Sequence, residues 1–465
     1  MSDVTEGGLV RPMLGLAWPM VVFQLLQVTY NVADTLWLGR LSADAVGAMS
    51  LAFPLVFFLI SVGGGFTAAG SILVAQNTGA GDARETGKVA GQTVGFVLIL
   101  AAVLGVAGHF LTRDMLAFLP ATAETAARVV PLAAAYMEVF YLGLPALFGF
   151  FLFTALLRGY GDTRTPMRVM FVSVALNVVL DPLLIFGWGP FPALGIAGAA
   201  YATVAARMLA TVIGAYLLFV VGVGPDIRLP DLRPELGYVR KIVRVGVPSA
   251  AEQSMSSVAM ISLVGIVSTF NPAVVAAYGL GNRLISLIFL PAMGLGQATN
   301  TIVGQNLGAG KPERAERATW LAAKVVAGVL LVAAVVAYAF AESIVGVFIA
   351  TGTDQAAATV AHGADFLRIA AGMFAFTGVL QVVLGAFRGA GNTGTALAFS
   401  VVTLWAVRVP VTAYLVFVAG WGPTGIWAGV ALGDVLGALT ATLWFTRGTW
   451  KSTIVDTAGA GPADD

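Results

Sequence analysis

Leu73-Val74-Ala75-Gln76-Asn77-Thr78-Gly79-Ala80-Gly81 is repeated as Ile302-Val303-Gly304-Gln305-Asn306-Leu307-Gly308-Ala309-Gly310, at an offset of 229 residues. The same offset carries Pro19 to Pro248 and Gln24 to Gln253. Arg158-Gly159-Tyr160-Gly161-Asp162-Thr163 returns as Arg388-Gly389-Ala390-Gly391-Asn392-Thr393, and Gly195-Ile196 as Gly425-Ile426. Order and spacing hold throughout, so the chain is one unit written twice.

The repeated unit is built for lipid. Of 465 residues 58% are hydrophobic and only 11% charged, with a mean hydropathy of +0.89. A soluble domain carries roughly 25% charged residues, so the composition excludes a cytoplasmic enzyme, a nucleic-acid binder and a disordered chain. Lys and Arg number 25 against 24 Asp and Glu, which gives no net charge to attract nucleic acid. There is no Cys and only His109 and His362, so thiolate and histidine metal or haem sites are excluded and no cofactor is implied.

A crossing helix needs about 20 mostly apolar residues. Twelve such stretches lie near 13–38, 45–76, 88–111, 126–157, 166–188, 193–222, 241–269, 273–305, 319–341, 360–387, 395–420 and 424–446. Asp3 and Glu6 precede Arg11, and the run from Met13 to Leu38 is too long for a signal peptide, so it reads as the first span. With the N-terminus inside, 18 Lys and Arg fall at inner ends, while Arg40, Arg113 and Arg128 fall at outer ends. Arg207, Arg283, Arg368 and Arg408 lie within spans. That asymmetry predicts an all-α polytopic membrane protein with both termini cytoplasmic. Residues 1–222 form one six-helix half and 241–465 the other, with a short cytoplasmic tail; the Pro-rich, charged segment 223–240 joins them as a cytoplasmic linker. Six helices separate equivalent positions, so the repeat is parallel, the plan of transporters that bind substrate between halves.

The QN-x-GAG and RG-x-G-[DN]-T segments fall at the inner ends of the second and fourth spans of each half. They read as helix caps followed by tight turns, where Gly accepts a left-handed conformation. Gly81-Asp82-Ala83-Arg84-Glu85-Thr86-Gly87-Lys88-Val89 is not a phosphate loop: the glycines are one residue too far apart, and Val89 stands where a Ser or Thr is needed. No ATP drive is visible. Energy is then expected from an ion gradient or from the substrate.

These segments carry a resemblance. Two six-helix halves with QN-x-GAG after each second helix, and LRGYGDTRTP after the fourth, resemble the multidrug and toxic compound extrusion (MATE) family over the whole chain, in its DinF-like prokaryotic branch. The resemblance implies two pseudo-symmetric six-helix bundles arranged in a V around a central cleft. It implies a secondary transporter of the plasma membrane, a monomer and no enzyme, that exports organic cations and related amphiphiles against H⁺ or Na⁺.

A charge within the membrane costs about 2.5–3.5 kcal/mol on insertion scales, which makes intramembrane acids functional candidates. Asp34 lies in the first span and Asp181 in the fifth. Asn177 and Asp181 are four apart and share a helix face; Pro182 has no N–H and frees the carbonyl of Val178. Thr203 adds a hydroxyl from the sixth span. Two close carboxylates cannot both ionise cheaply in low dielectric, so this set suits a shared proton or a dehydrated Na⁺. The resemblance assigns the same four residues, Asp34, Asn177, Asp181 and Thr203, to the family's N-half cation site. Arg207, four residues beyond Thr203, offers the bland alternative of a simple ion pair with the acids. Asp34 maps to Leu263 and Asp181 to Val411, so the second half lacks both acids.

In the second half Thr203 maps to Asp434, and Arg408 lies nearby on the eleventh span; the two are expected to form a structural ion pair. Glu252, one turn into the seventh span, is expected either to draw cations toward a cleft or to satisfy polar groups. Phe53, Phe57, Met255, Met260 and Phe289 are candidate cleft residues, because soft and aromatic side chains suit promiscuous binding. Two alternatives stand beside export: a lipid-linked oligosaccharide flippase of the same wider superfamily, which an acidic lobe disfavours, and a non-pumping sensor or channel, which has no use for a loadable carboxylate pair.

Overall fold

The computed structural model describes residues 4–117, 127–349 and 354–454. Asp3 and the tail beyond residue 454 lie outside them. All regular elements among the described residues are helical. They are α1 (Val10–Leu41), α2 (Ala43–Gly79), α3 (Ala83–Ala117), α4 (Val130–Leu142), α5 (Leu144–Tyr160), α6 (Arg164–Phe186) and α7 (Ile196–Val221). A 3₁₀ turn at Leu229–Leu232 precedes α8 (Leu236–Val267), α9 (Pro272–Ile288), α10 (Leu290–Gly308), α11 (Pro312–Ala339), α12 (Ala341–Gly346), α13 (Asp354–Ala371), α14 (Phe374–Gly389), α15 (Thr393–Val418) and α16 (Pro423–Phe445).

Among the described residues nine helices are long and apolar enough to cross a membrane, or twelve when each of three bent pairs counts as one span. The stretches expected to be single helices near 126–157, 273–305 and 360–387 are each broken, by 54° between α4 and α5, 46° between α9 and α10, and 54° before α14. Pro145 and Pro291 explain two of the breaks. Each sits at the second residue of the helix after the bend, where its missing N–H breaks the hydrogen-bond ladder. The third falls at Gly372-Met373, between the end of α13 and Phe374.

The repeated motifs do what capping chemistry requires. Gly81 and Gly310 adopt φ of 75° and 69° after QN-x-GA, and Gly161 and Gly391 adopt 99° and 81°. Asn77 is buried and donates to its own helix at Leu73 O (2.9 Å). Asp162 accepts from the backbone N–H groups of Arg164 and Thr165, both at 3.0 Å, and so starts α6.

Grouped by packing, Val22–Ala250 forms one unit, while Ser2–Val21 and Ala251–Asp465 form the other. The packing groups therefore depart from the sequence halves inside two helices, α1 and α8. The switch falls just past Pro19 in α1 and Pro248 in α8. Two glycines equivalent under the repeat serve these exchanges. A Cβ on Gly65 would lie 2.3 Å from Ala250 N, and one on Gly294 would lie 2.5 Å from Val21 Cγ2. Only a residue without a side chain lets the neighbouring helix come so close.

In the first unit α2 packs along α5, and α6 along α7. The linker 223–240 is folded down against α3. Gly87, Gly91 and Gly95 form a bare stripe there: Cβ atoms on them would meet Asp226 O at 2.0 Å, Asp231 Cβ at 2.6 Å and Leu232 O at 2.0 Å. Fully buried Gln92 grips the same strand of chain. Its Nε2 donates to Asp231 O (2.9 Å) and Arg233 O (2.7 Å), and its Oε1 accepts from Glu235 N (2.6 Å). Arg84 pairs with both oxygens of Asp231 at 2.6 Å. In the second unit α10 packs along α14 and α9 along α13, around a core that includes Phe366, Phe374 and Trp427.

Candidate functional site

The first unit brings polar side chains from three helices to one buried place. Asp34 comes from α1, Asn177 and Asp181 from α6, and Thr203 and Arg207 from α7. Asn177 and Asp181 are fully buried, and Asp34, Thr203 and Arg207 are nearly so. Asn177 Nδ2 donates to Asp181 Oδ1 at 3.2 Å, as the four-residue spacing requires. Asp34 interacts with Asp181, Asn177 and Tyr30. Three oxygens here are buried without a hydrogen-bond partner: Asp34 Oδ1, Asn177 Oδ1 and Asp181 Oδ2. A buried acceptor left unpaired is costly, so this cluster holds three acceptors whose hydrogen-bonding need is unmet.

Thr203 belongs to this cluster at one remove. Its Oγ1 is hydrogen-bonded to Tyr30 Oη at 2.7 Å, and it is Tyr30 that touches Asp34. Tyr30 was not singled out in the sequence, although it stands four residues before Asp34 on the same helix face. Buried Tyr136 of α4 lies in the field of both acids, and no local pattern announces it. Arg207 does not form the simple ion pair considered above. Its guanidinium donates to Met170 Sδ (3.2 Å) and Gln27 Oε1 (3.3 Å) and lies over the rings of Tyr30 and Phe150.

The equivalent region of the second unit is closed by charge. Arg408 Nη2 donates to Asp434 Oδ1, and Thr377 Oγ1 donates to Asp434 Oδ2 at 2.7 Å. Gly433 makes room, since a Cβ there would lie 2.6 Å from Arg408 Cβ. Span α15 winds as π-helix over Val402–Arg408 and again over Tyr414–Val418, a departure common at functional positions.

Glu252 is not an open acid awaiting cations. It is buried and paired with Arg388 Nη2 at 2.6 Å, and it accepts from Ser400 Oγ at 2.7 Å. Arg388 belongs to the RG-x-G-N-T repeat, which the sequence presents as a turn. Among the cleft candidates, Phe53, Phe57 and Met260 are exposed. Met255 is half-buried, with its carbonyl bonded to Trp405 Nε1, and Phe289 packs edge-on against Phe374 at 5.6 Å.

Nine to twelve spans among the described residues and an internal repeat in sequence define a polytopic membrane protein of the duplicated-transporter plan. The MatE family model matches residues 19–183 and 248–414, one match in each half of the repeat. The probable multidrug resistance protein YpnP of Bacillus subtilis (strain 168) is 30% identical over 451 residues, covering 97% of this chain and 98% of its own. The probable multidrug resistance protein NorM of Deinococcus radiodurans is 31% identical over 439 residues, covering 93% and 94%. A MATE crystal structure in complex with MaL6 superposes with a TM-score of 0.89 at 26% identity, over 97% of this chain and 98% of that one. The chain belongs to the MatE family of multi-pass membrane transporters.

Proposed function

We propose that the protein is a cation-coupled multidrug efflux antiporter, which exports organic cations and related amphiphiles from the cell in exchange for H⁺ or Na⁺. Asp34, Asn177 and Asp181 load the coupling ion, with Thr203 ordering the site through Tyr30. The observation that carries this reading is the set of three partnerless buried oxygens, Asp34 Oδ1, Asn177 Oδ1 and Asp181 Oδ2. Either a shared proton or a dehydrated Na⁺ supplies what they lack, and oxygen donors suit hard cations. Relatives named as multidrug resistance proteins support the export of drugs. Phe53 and Phe57 in the first unit, and Met260 in the second, are exposed side chains of the aromatic and soft kinds that varied substrates need. The protein works as a monomer in the plasma membrane with both termini cytoplasmic, its halves 1–222 and 241–465 joined by the cytoplasmic segment 223–240.

Dye efflux from proteoliposomes tests this reading, with a pH gradient and a Na⁺ gradient imposed separately. One of the two should drive efflux in the wild type, and neither should drive it in Asp34→Asn. Efflux under neither gradient in the wild type, or equal efflux in the variant, refutes it.

A further inference from the structure

Arg207 is a buried cation held by neutral partners. It is 3% exposed. Nη1 donates to a thioether and Nη2 to an amide. The guanidinium carbon lies 5.0 Å from the Tyr30 ring centroid and 4.7 Å from that of Phe150, and Phe23 stacks behind Phe150 at 6.1 Å. Among the described residues no carboxylate lies within salt-bridge distance of it, although Asp34 is near enough to act on it through space. Arg408 in the other unit is bonded directly to Asp434.

A buried charge needs compensation. Ring faces and amide oxygens give a guanidinium part of it. The remainder must come through space from the acids. The ionisable groups facing this pocket are Tyr30 and Asp34 from α1, Tyr136 from α4, Asp181 from α6 and Arg207 itself from α7. With both acids ionised and Arg207 present the cluster carries one net negative charge, which a single monovalent cation cancels. A direct salt bridge would give the same sum but would occupy the carboxylate oxygens that a loaded cation needs. Asp34 Oδ1 and Asp181 Oδ2 are instead left without partners.

We propose that Arg207 is the fixed counter-charge of the ion-loading site: held off the carboxylates by Tyr30, Phe150, Gln27 and Met170, it limits the site to one monovalent cation per cycle. Arg207 is thus a positioning residue that sets stoichiometry, and the proposal rests on the reading of Asp34 and Asp181 given above. Without Arg207 the neutral cluster holds two cations. Gln27→Glu has the same consequence with the guanidinium still in its cage, because a carboxylate then stands where Arg207 already donates.

Infrared difference spectroscopy between H₂O and D₂O, on purified full-length protein in a choline buffer, counts the protonated carboxyl groups when H⁺ is the one cation able to load. The contribution of the pair is what disappears in Asp34→Asn/Asp181→Asn. At the pH where the wild-type pair holds one proton, Arg207→Gln and Gln27→Glu should each raise the signal about twofold. The Gln27→Glu signal should vanish when both acids are also replaced by Asn, which shows that the extra proton is not on the new carboxyl. A purely structural Arg207 would lower the melting temperature without changing the count. If Arg207→Gln does not fold, Gln27→Glu decides. An unchanged count in the folded variants overturns the Arg207 assignment alone. A wild type that matches Asp34→Asn/Asp181→Asn throughout the titration removes the ion-loading reading and this proposal with it.

Discussion

The same helices, inherited twice, bury polar groups in opposite ways. In the first unit three oxygens of Asp34, Asn177 and Asp181 end without partners, and the nearby Arg207 is turned toward aromatic rings. In the second, Arg408 and Asp434 meet directly, and Thr377 takes up the other carboxylate oxygen. The arginine has also changed helix, from the sixth span of the first half to the fifth span of the second. The difference teaches that duplication preserved the scaffold while the chemistry diverged: one half leaves buried acceptors unpaired, and the other pairs its buried carboxylate with a cation and a hydroxyl.

The sharpest way to break this comparison is to remove the open acids. Asp34→Asn and Asp181→Asn should abolish gradient-driven dye efflux while leaving the melting temperature close to wild type, since neither replaces a made ion pair. A next step attacks the closed pair. Arg408→Met leaves Asp434 buried without its cation, at a cost of about 3–5 kcal/mol, seen as lost yield and a lower melting temperature in detergent. Arg408→Met/Asp434→Leu should recover both. A stable double variant that no longer couples would make the second cluster an ion site as well, and the contrast between halves would fail.

A smaller test concerns the chain that follows each half's sixth span. The linker lies on Gly87, Gly91 and Gly95 of α3; at the equivalent offset α11 carries Glu316, Trp320 and Lys324. There the Trp320 ring meets Phe445 at 5.6 Å, and Lys451 pairs with Glu316 at 2.7 Å. Gln92→Ala should therefore cost about 1–3 kcal/mol by leaving buried linker groups unpaired. Protease digestion should then cut between residues 223 and 240 faster than in the wild type, with the C-terminal tail unaffected. The smallest effect is acid sensitivity. Hydrogen bonds from Arg84 hold the Asp231 carboxyl below its ordinary value, so this contact stabilises the fold above the unfolded pKa of about 3.9 and is lost as pH falls through the lower folded value. Asp231→Asn should flatten the acid limb of the melting curve and leave neutral stability little changed, because Arg84 is half exposed.

Much of this was legible in the sequence because lipid imposes simple rules. Span number followed from hydropathy, and the helix caps followed from the repeated glycines. Asp34 and Asp181 stood out because acids in apolar stretches are rare, and Asn177 because it lies four residues before Asp181. The breaks at Gly143 and Phe289 had a signal in Pro145 and Pro291, which a window of average hydropathy erases. Tyr30 was readable by its four-residue spacing from Asp34. Tyr136 and Phe150 were not, since helices far apart in sequence bring Tyr136 to the acids and Phe150 to Arg207. The Glu252–Arg388 pair was hidden for the same reason, with one partner inside a motif whose local geometry explains it fully.

The exchange at Pro19 and Pro248 has a consequence for how the chain is made. A growing polypeptide inserts α1 first, yet the N-terminal part of that helix belongs with residues synthesised only after Ala250. Gly294, against which Val21 rests, emerges when more than half the protein is already in the bilayer. The start of α1 up to Val21 must therefore wait, while the first unit is completed only by the residues of α8 up to Ala250. Such late, long-range closure slows assembly. It also means that neither half, released alone from the ribosome, would carry all the surfaces it needs, so the two copies of this duplicated sequence have become obligate partners in their own biogenesis.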